Sequence, residues 1–196
     1  TRHGNRVGAL IYGGGLDTII PASSGRRHVL QILDALTNRP ELPRSPPTDL
    51  SDFLRAALQI IHSRSFVFLV SDFVSAPGWA SPLSMLSQRH EILAVRPFDP
   101  MEVELPPLGL FVMQDAESGE QVFVDTTDRG FRKRFAHAAE QREFEVREGL
   151  SRAGVDAIEL STQEDIVDSI LRFTDMRRRR VRGSSASRAP VAGATP

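Results

Sequence analysis

Ser71-Asp72 follows the run Phe66-Val67-Phe68-Leu69-Val70, so a hydroxyl and a carboxylate come directly after five consecutive apolar residues. An unbroken apolar run of this kind is expected of a parallel strand covered by helices on both faces. Open α/β sheets receive ligands at the carboxyl ends of such strands, which makes Asp72 the first candidate for chemistry. A carboxylate there suits a hard cation or the activation of water; it equally suits the capping of its own loop. One carboxylate is not a site, so partners have to come from elsewhere in the chain.

The other candidates are weaker when each is set against its plain structural reading. Thr48-Asp49 opens a helical pattern, where the Thr48 hydroxyl serves as an N-cap. Gly13-Gly14-Gly15 forms neither GxGxxG nor GxxxxGK[ST], and reads as a turn between two antiparallel strands. His90 has no neighbouring His, Cys or patterned carboxylate and reads as a surface residue at the start of a strand. Asp115, Glu117 and Glu120 lack the length and the terminal glutamate of a calcium loop, and read as a solvated acidic turn. Arg177 to Arg180 and Arg182 form a basic run that could meet lipid headgroups or nucleic acid; without aromatic residues among them, a solvated helix end is as good an account.

Hydrophobic periodicity supplies the elements that position these residues. Strands are expected at 6–12, 16–20, 66–70, 90–96 and 155–160, with an inserted hairpin formed by 108–113 and 121–124. Helices are expected at 26–37, from Thr48-Asp49 onward, at 83–89, at 127–150 and from Gln163 to Met176. The first presents Val29, Leu30, Ile32, Leu33 and Leu36 as a broad apolar face suited to lying on a sheet. The longest carries Phe131, Phe135 and Ala138 as its inward stripe, and Ser161 with Glu164 reads as a capping box for the last. Trp79 reads as a packing residue. Strands separated by helices imply a layered α/β domain over residues 1–176, followed by a basic stub and a Ser/Ala/Pro/Gly tail over 177–196 that cannot build a core.

Composition excludes several classes. With 196 residues, 40% hydrophobic and 25% charged, the chain can bury a substantial single core. A formal net charge of -1 gives no bias toward nucleic acid. The absence of cysteine removes disulfides, thiolate chemistry and cysteine-based metal sites, which fits a cytoplasmic protein. No apolar run reaches membrane-spanning length. The sequence opens on Thr1 rather than Met, so a piece of a longer polypeptide is expected.

Several segments in order, RVGALIYG, PASSGRRHVLQILDAL, PPTDLSDFLRAAL, SFVFLVSDF, HEILAVRPFDPMEVELPPLG, QDAESGEQVFVDT and ELSTQEDIVDSILRF, resemble the bacterial domain-of-unknown-function 58 family. The resemblance covers roughly residues 4–180. It implies a three-layer, mostly parallel, doubly wound (Rossmann-like) sheet of von Willebrand factor A type with an inserted β-hairpin. It also implies a metal-ion-dependent adhesion site, in which Thr48 matches the family threonine and Asp72 the later aspartate. The Asp-x-Ser-x-Ser loop of that site is not in this sequence, nor is the strand that precedes it. On this resemblance the sheet has an empty slot between the strands at 6–12 and 66–70. The slot would be closed directly, filled by another copy, or filled by a separate N-terminal piece.

The function implied is non-enzymatic: a protein-interaction domain that works with a MoxR-type AAA+ ATPase in assembly or maturation of other proteins. Mg²⁺ would take part in the intact protein, while this fragment with Thr48 and Asp72 alone would hold metal weakly. The competing expectations are a metal-dependent hydrolase using Asp72 and a purely structural fragment without metal.

Overall fold

The structure, a computed structural model, describes residues 5–13, 16–39, 49–114 and 121–175. Its first element pair is β1 (Val7–Tyr12) and β2 (Leu16–Ser23), which pair antiparallel. Helix α1 (Arg26–Thr37) follows and is tied back to the hairpin. His28 Nε2 lies 2.8 Å from the carbonyl of Val7, and Arg39 donates to the carbonyl of Tyr12 (3.1 Å) and pairs with Asp17.

After α2 (Leu50–Ile60) comes β3 (Phe66–Val70), then α3 (Ala80–Ser87) and β4 (Glu91–Phe98). A second antiparallel hairpin, β5 (Leu110–Gln114) with β6 (Gln121–Asp125), leads into α4 (Arg129–Ala153) and β7 (Asp156–Ser161). A final helical stretch, α5, covers residues 166–175. Strands β3, β4 and β7 form one parallel sheet in that order, so β4 is its middle strand.

One face of this sheet carries the core. Its residues are Leu69 from β3 with Ile92 and Ala94 from β4, which the period-2 alternation of strands places on a common side. Leu50, Leu54 and Ala57 of α2, Leu83 and Leu86 of α3, and Val146, Leu150 and Ala153 of α4 pack onto them. Spacings of three and four put each set on a single helix face. Helix α4 ends where Gly154 takes φ 66° and returns its N–H to the carbonyls of Leu150 and Ser151. The benzo edge of Trp79 packs against the place where Gly149 has no side chain. A Cβ there would lie 2.5 Å from the indole.

Several expectations are corrected. Among the described residues the run Phe66–Val70 is a terminal strand of its sheet, and it is not buried on both faces. Its Leu69 face packs against helices, whereas Phe66, Phe68 and Val70 on the other face are exposed. Helix α1 contacts β1 with Val29 and Ile32 half-buried, but none of its residues is fully buried and Leu30, Leu33 and Leu36 are exposed. The N-cap of α2 is Asp49, whose carboxylate accepts from the amides of Ser51 and Asp52. The inward stripe of α4 contains Ala139 rather than Ala138.

The last helix is capped by Asp165, which accepts from Val167 and Asp168, while Ser161 still belongs to β7. The expected Ser161–Glu164 box is therefore not its start. His90 is 5% exposed rather than at the surface. The amide of Ser65 donates to its Nδ1, and its Nε2 has no hydrogen-bond partner among the described residues. Thr48, the 115–120 turn and the basic run at 177–182 lie outside the described residues. No helix among the described residues is long and apolar enough to cross a membrane.

The Trp79–Gly149 contact gives a direct test of this packing. Gly149→Val places branched carbons inside the indole, and unfolding in urea should show a loss of about 2–3 kcal/mol. Val at an exposed α4 position, such as Glu145, should cost only the helix-propensity difference, about 0.5 kcal/mol.

Candidate functional site

At the carboxyl end of β3 the chain leaves the sheet under tight local control. The Ser71 amide donates to the carbonyl of Val95, extending the β3–β4 ladder by one bond (3.1 Å). The Ser71 hydroxyl then accepts from the amide of Phe73, and Asp72 Oδ1 accepts from the amide of Val74, both at 3.0 Å. Two successive side-chain-to-backbone turns of this type bend the chain sharply. Among the described residues Phe73 alone, apart from glycines, has a positive φ, at 62°. That conformation costs about 1–2 kcal/mol, and burial of the Phe73 ring against Trp79, centroids 5.1 Å apart, holds it in place. The loop leaves the Asp72 side chain exposed at the surface.

The start of α2 meets this loop. The Leu50 amide, one of the donors a helix N-terminus leaves unsatisfied, donates to the Ser75 hydroxyl at 3.0 Å. The first turn of α2, directly after Thr48, is thereby fixed against the Asp72–Ser75 segment.

The residue that organises the site most strongly is Arg96, which sequence reasoning passed over. It lies near the end of β4, is 8% exposed, and follows Ile92 and Ala94 on the helix-covered face. Its Nε donates to the carbonyl of Asp72 (3.3 Å), Nη1 donates to Glu143 of α4 (2.7 Å), and Nη2 also pairs with Glu143. Glu159 of β7, its register neighbour, lies 3.5 Å away. Arg147 reaches Glu143 at 3.8 Å and Glu159 at 3.6 Å, giving two cations and two anions in one network. The hydrogen bond from Arg96 holds the Glu143 carboxyl below the ordinary glutamate range, against the opposing effect of partial burial. The same bond raises the Arg96 pKa.

These residues border a cleft of about 450 Å³ at the carboxyl edge of the parallel sheet, lined among others by Asp72, Trp79, Arg96, Phe98 and Glu143. Such a position is where parallel α/β sheets bind ligands. Its anionic groups differ in availability: Glu143 is committed to Arg96, whereas Asp72 is at the surface. For a hard divalent cation the described residues offer Asp72 with the hydroxyls of Ser71 and Ser75 close by in the chain. That is an oxygen set, but too small to fill six coordination positions without water or other donors. Among the described residues no three His, Asp or Glu side chains converge on one point. His90 lies at the opposite, amino-terminal end of β4 and takes no part.

A parallel sheet with helices and a cleft at its carboxyl edge defines an α/β domain of the open-sheet class. Within that class the chain belongs to the family described as protein of unknown function DUF58, whose profile matches residues 1–145. It is 36% identical over 176 residues to the uncharacterized proteins Rv1480 of Mycobacterium tuberculosis and Mb1516 of Mycobacterium bovis, matching 90% of this chain and 55% of theirs. The chain thus spans about half the length of these relatives. The uncharacterized protein MAV169 of Mycobacterium avium is 34% identical over 163 residues, 83% of this chain and 95% of its own length. Among solved structures, the conserved hypothetical protein BatB from Bacteroides thetaiotaomicron superposes with a TM-score of 0.52 at 12% identity. The superposition covers 89% of this chain and 79% of BatB.

The Arg96–Glu143 pair makes stability depend on pH in a defined direction. The pKa of Glu143 is lower in the folded protein than in the unfolded chain. Its contribution is present above the unfolded value and is lost as pH falls through the folded one. Urea unfolding followed downward in pH from neutrality should show stability falling through the acid range. Glu143→Gln should flatten that slope and cost about 2 kcal/mol at neutral pH by loosening a buried guanidinium.

Proposed function

We propose that this domain is a non-enzymatic protein-interaction module of von Willebrand factor A type, contacting its partner through the cleft face around Asp72. The observation that carries the reading is the Asp72 loop. An exposed carboxylate stands at the carboxyl end of a parallel strand, on a backbone held in a strained conformation by a buried ring. In this reading Asp72 binds Mg²⁺ directly or through water, with Thr48, which precedes Asp49 in the sequence, as its companion. The remaining oxygens come from water, the partner and polypeptide outside these residues. The Leu50–Ser75 hydrogen bond supports the pairing, because it sets the first turn of α2 against the Asp72 loop. Ser71 orients the loop through its bond to Phe73.

The partner proposed is a MoxR-type AAA+ ATPase, acting with this protein in the assembly or maturation of others. A metal-dependent hydrolase is the less favoured reading. The acid closest in role, Glu143, is tied to Arg96 and held ionised, which suits it to structure rather than to proton transfer.

Calorimetric titration with Mg²⁺ or Mn²⁺, on the 196-residue chain and on the product of the whole reading frame, tests the metal. Binding should be weak in the first and tighter in the second, and Asp72→Ala should reduce affinity at least about tenfold. Equal tight binding by both, unaffected by Asp72→Ala, would sink the adhesion-site reading. Capture of a MoxR-type ATPase should depend on Mg²⁺ and be lost with Asp72→Ala.

A further inference from the structure

The β5–β6 hairpin is firmly rooted and poorly covered. At its base Thr126 is 2% exposed. Its amide and its hydroxyl both donate to the carbonyl of Gly109, at 2.9 and 2.8 Å, and the hydroxyl accepts from the amide of Leu108. Val124, two residues earlier, is also buried. Among the described residues the two strands pair with each other and with no other strand. A two-stranded hairpin on its own is marginally stable in water, so one that presents apolar side chains is suited to packing against something further.

Period-2 alternation puts Leu110 and Val112 on one side of β5, and the register sets Phe123 of β6 directly opposite Val112. Leu110 is 81% exposed, Phe123 78% and Val112 43%, so one apolar face of the hairpin is left uncovered. Charge indicates what that face meets. From Pro97 to Asp128 the sequence holds eight Asp and Glu and no Lys, Arg or His, although the whole chain balances 24 Lys and Arg against 25 Asp and Glu. An anionic stretch of this kind repels phosphate-rich surfaces, whether anionic lipid or nucleic acid. Stacking two copies through the same face would set acids against acids. A protein surface with an apolar centre and a basic rim is complementary in both respects.

We propose that the face formed by Leu110, Val112 and Phe123 docks a protein partner through an apolar patch bordered by Lys and Arg. Leu110 and Phe123 are the anchors of the contact, and the hydrogen bonds of Thr126 hold the root from which they project. The contact goes beyond the Asp72 reading, since it needs neither that carboxylate nor a cation.

The photo-crosslinking residue p-benzoylphenylalanine, placed at Phe123 in the product of the whole reading frame and irradiated in the cells that make it, tests this. The expected result is a covalent adduct with one protein, joined at a segment that holds Lys or Arg together with apolar residues. The purified partner should then bind at least about tenfold more weakly after Phe123→Ser or Leu110→Ser, both exposed positions at which the fold tolerates the change. Raising the salt concentration should also weaken binding, whereas Asp72→Ala or a chelator should leave it unchanged. Absence of an adduct overturns the proposal, as does binding indifferent to Phe123 and Leu110. An adduct with a second copy of the chain, with lipid or with nucleic acid overturns it in favour of that occupant. Loss of binding with Asp72→Ala overturns it by moving the contact to the cleft.

Discussion

Arg96 carries a permanent positive charge into the interior near the end of the middle strand, and much of the cleft follows from neutralising it. An unpaired guanidinium at that depth would cost several kcal/mol. The charge is met by both Glu143 oxygens and by Glu159 across the ladder, while Nε takes the Asp72 carbonyl. One side chain thus fixes β3's exit, β4, β7 and the middle of α4 relative to one another. The rotational setting of α4 that delivers Glu143 to Arg96 also presents Val146, Leu150 and Ala153 to the sheet. The spacing is helical: from 143 to 146, 150 and 153 the steps are three, four and three. Polar and apolar demands therefore select the same face of α4, which is the internal consistency expected of a well-specified fold.

Much of this was legible in the sequence because strand and helix periods differ. The two hairpins, the parallel strands in RVGALIY-independent runs such as FVFLV and HEILAVR, and the bounds of α1 all follow from alternation, apolar runs and turn residues. Burial was less legible. FVFLV reads as a strand covered on both faces, yet Phe68 and Val70 are exposed, since an apolar run records what a strand is suited to meet and not what packs on each face. The same holds for part of α1, where Leu30, Leu33 and Leu36 are exposed while Val29 and Ile32 are half-buried. His90 misled for the opposite reason: a polar residue at a strand start is usually wet, but the Ser65 amide donates to it under cover.

The site was legible in outline and not in its main interaction. Asp72 could be singled out because an acid after an apolar parallel strand falls at the sheet's carboxyl edge. Arg96 carried a signal too, since period-2 alternation puts it in line with Ile92 and Ala94 on the helix-covered side, where a cation must find an acid. Which acid is answered only by the setting of α4, where Glu140, Glu143 and Glu145 are all candidates by sequence. Phe73 had no signal of its own. Its positive φ results from the two side-chain turns of Ser71 and Asp72 acting with the pull of Trp79 on its ring.

The candidate contact face is linked mechanically to the parallel sheet through the five residues of β3. Strand β3 is held in the sheet from one side, through its ladder to β4, which ends in the bond from Ser71 to Val95. The Asp72 loop is braced from that same side by Arg96 and from below by Leu50 and Trp79. The exposed carboxylate is thus aimed by the end of β3: how firmly the chain beyond Val70 is held depends on the Ser71–Val95 bond and on the Arg96 contact to the Asp72 carbonyl.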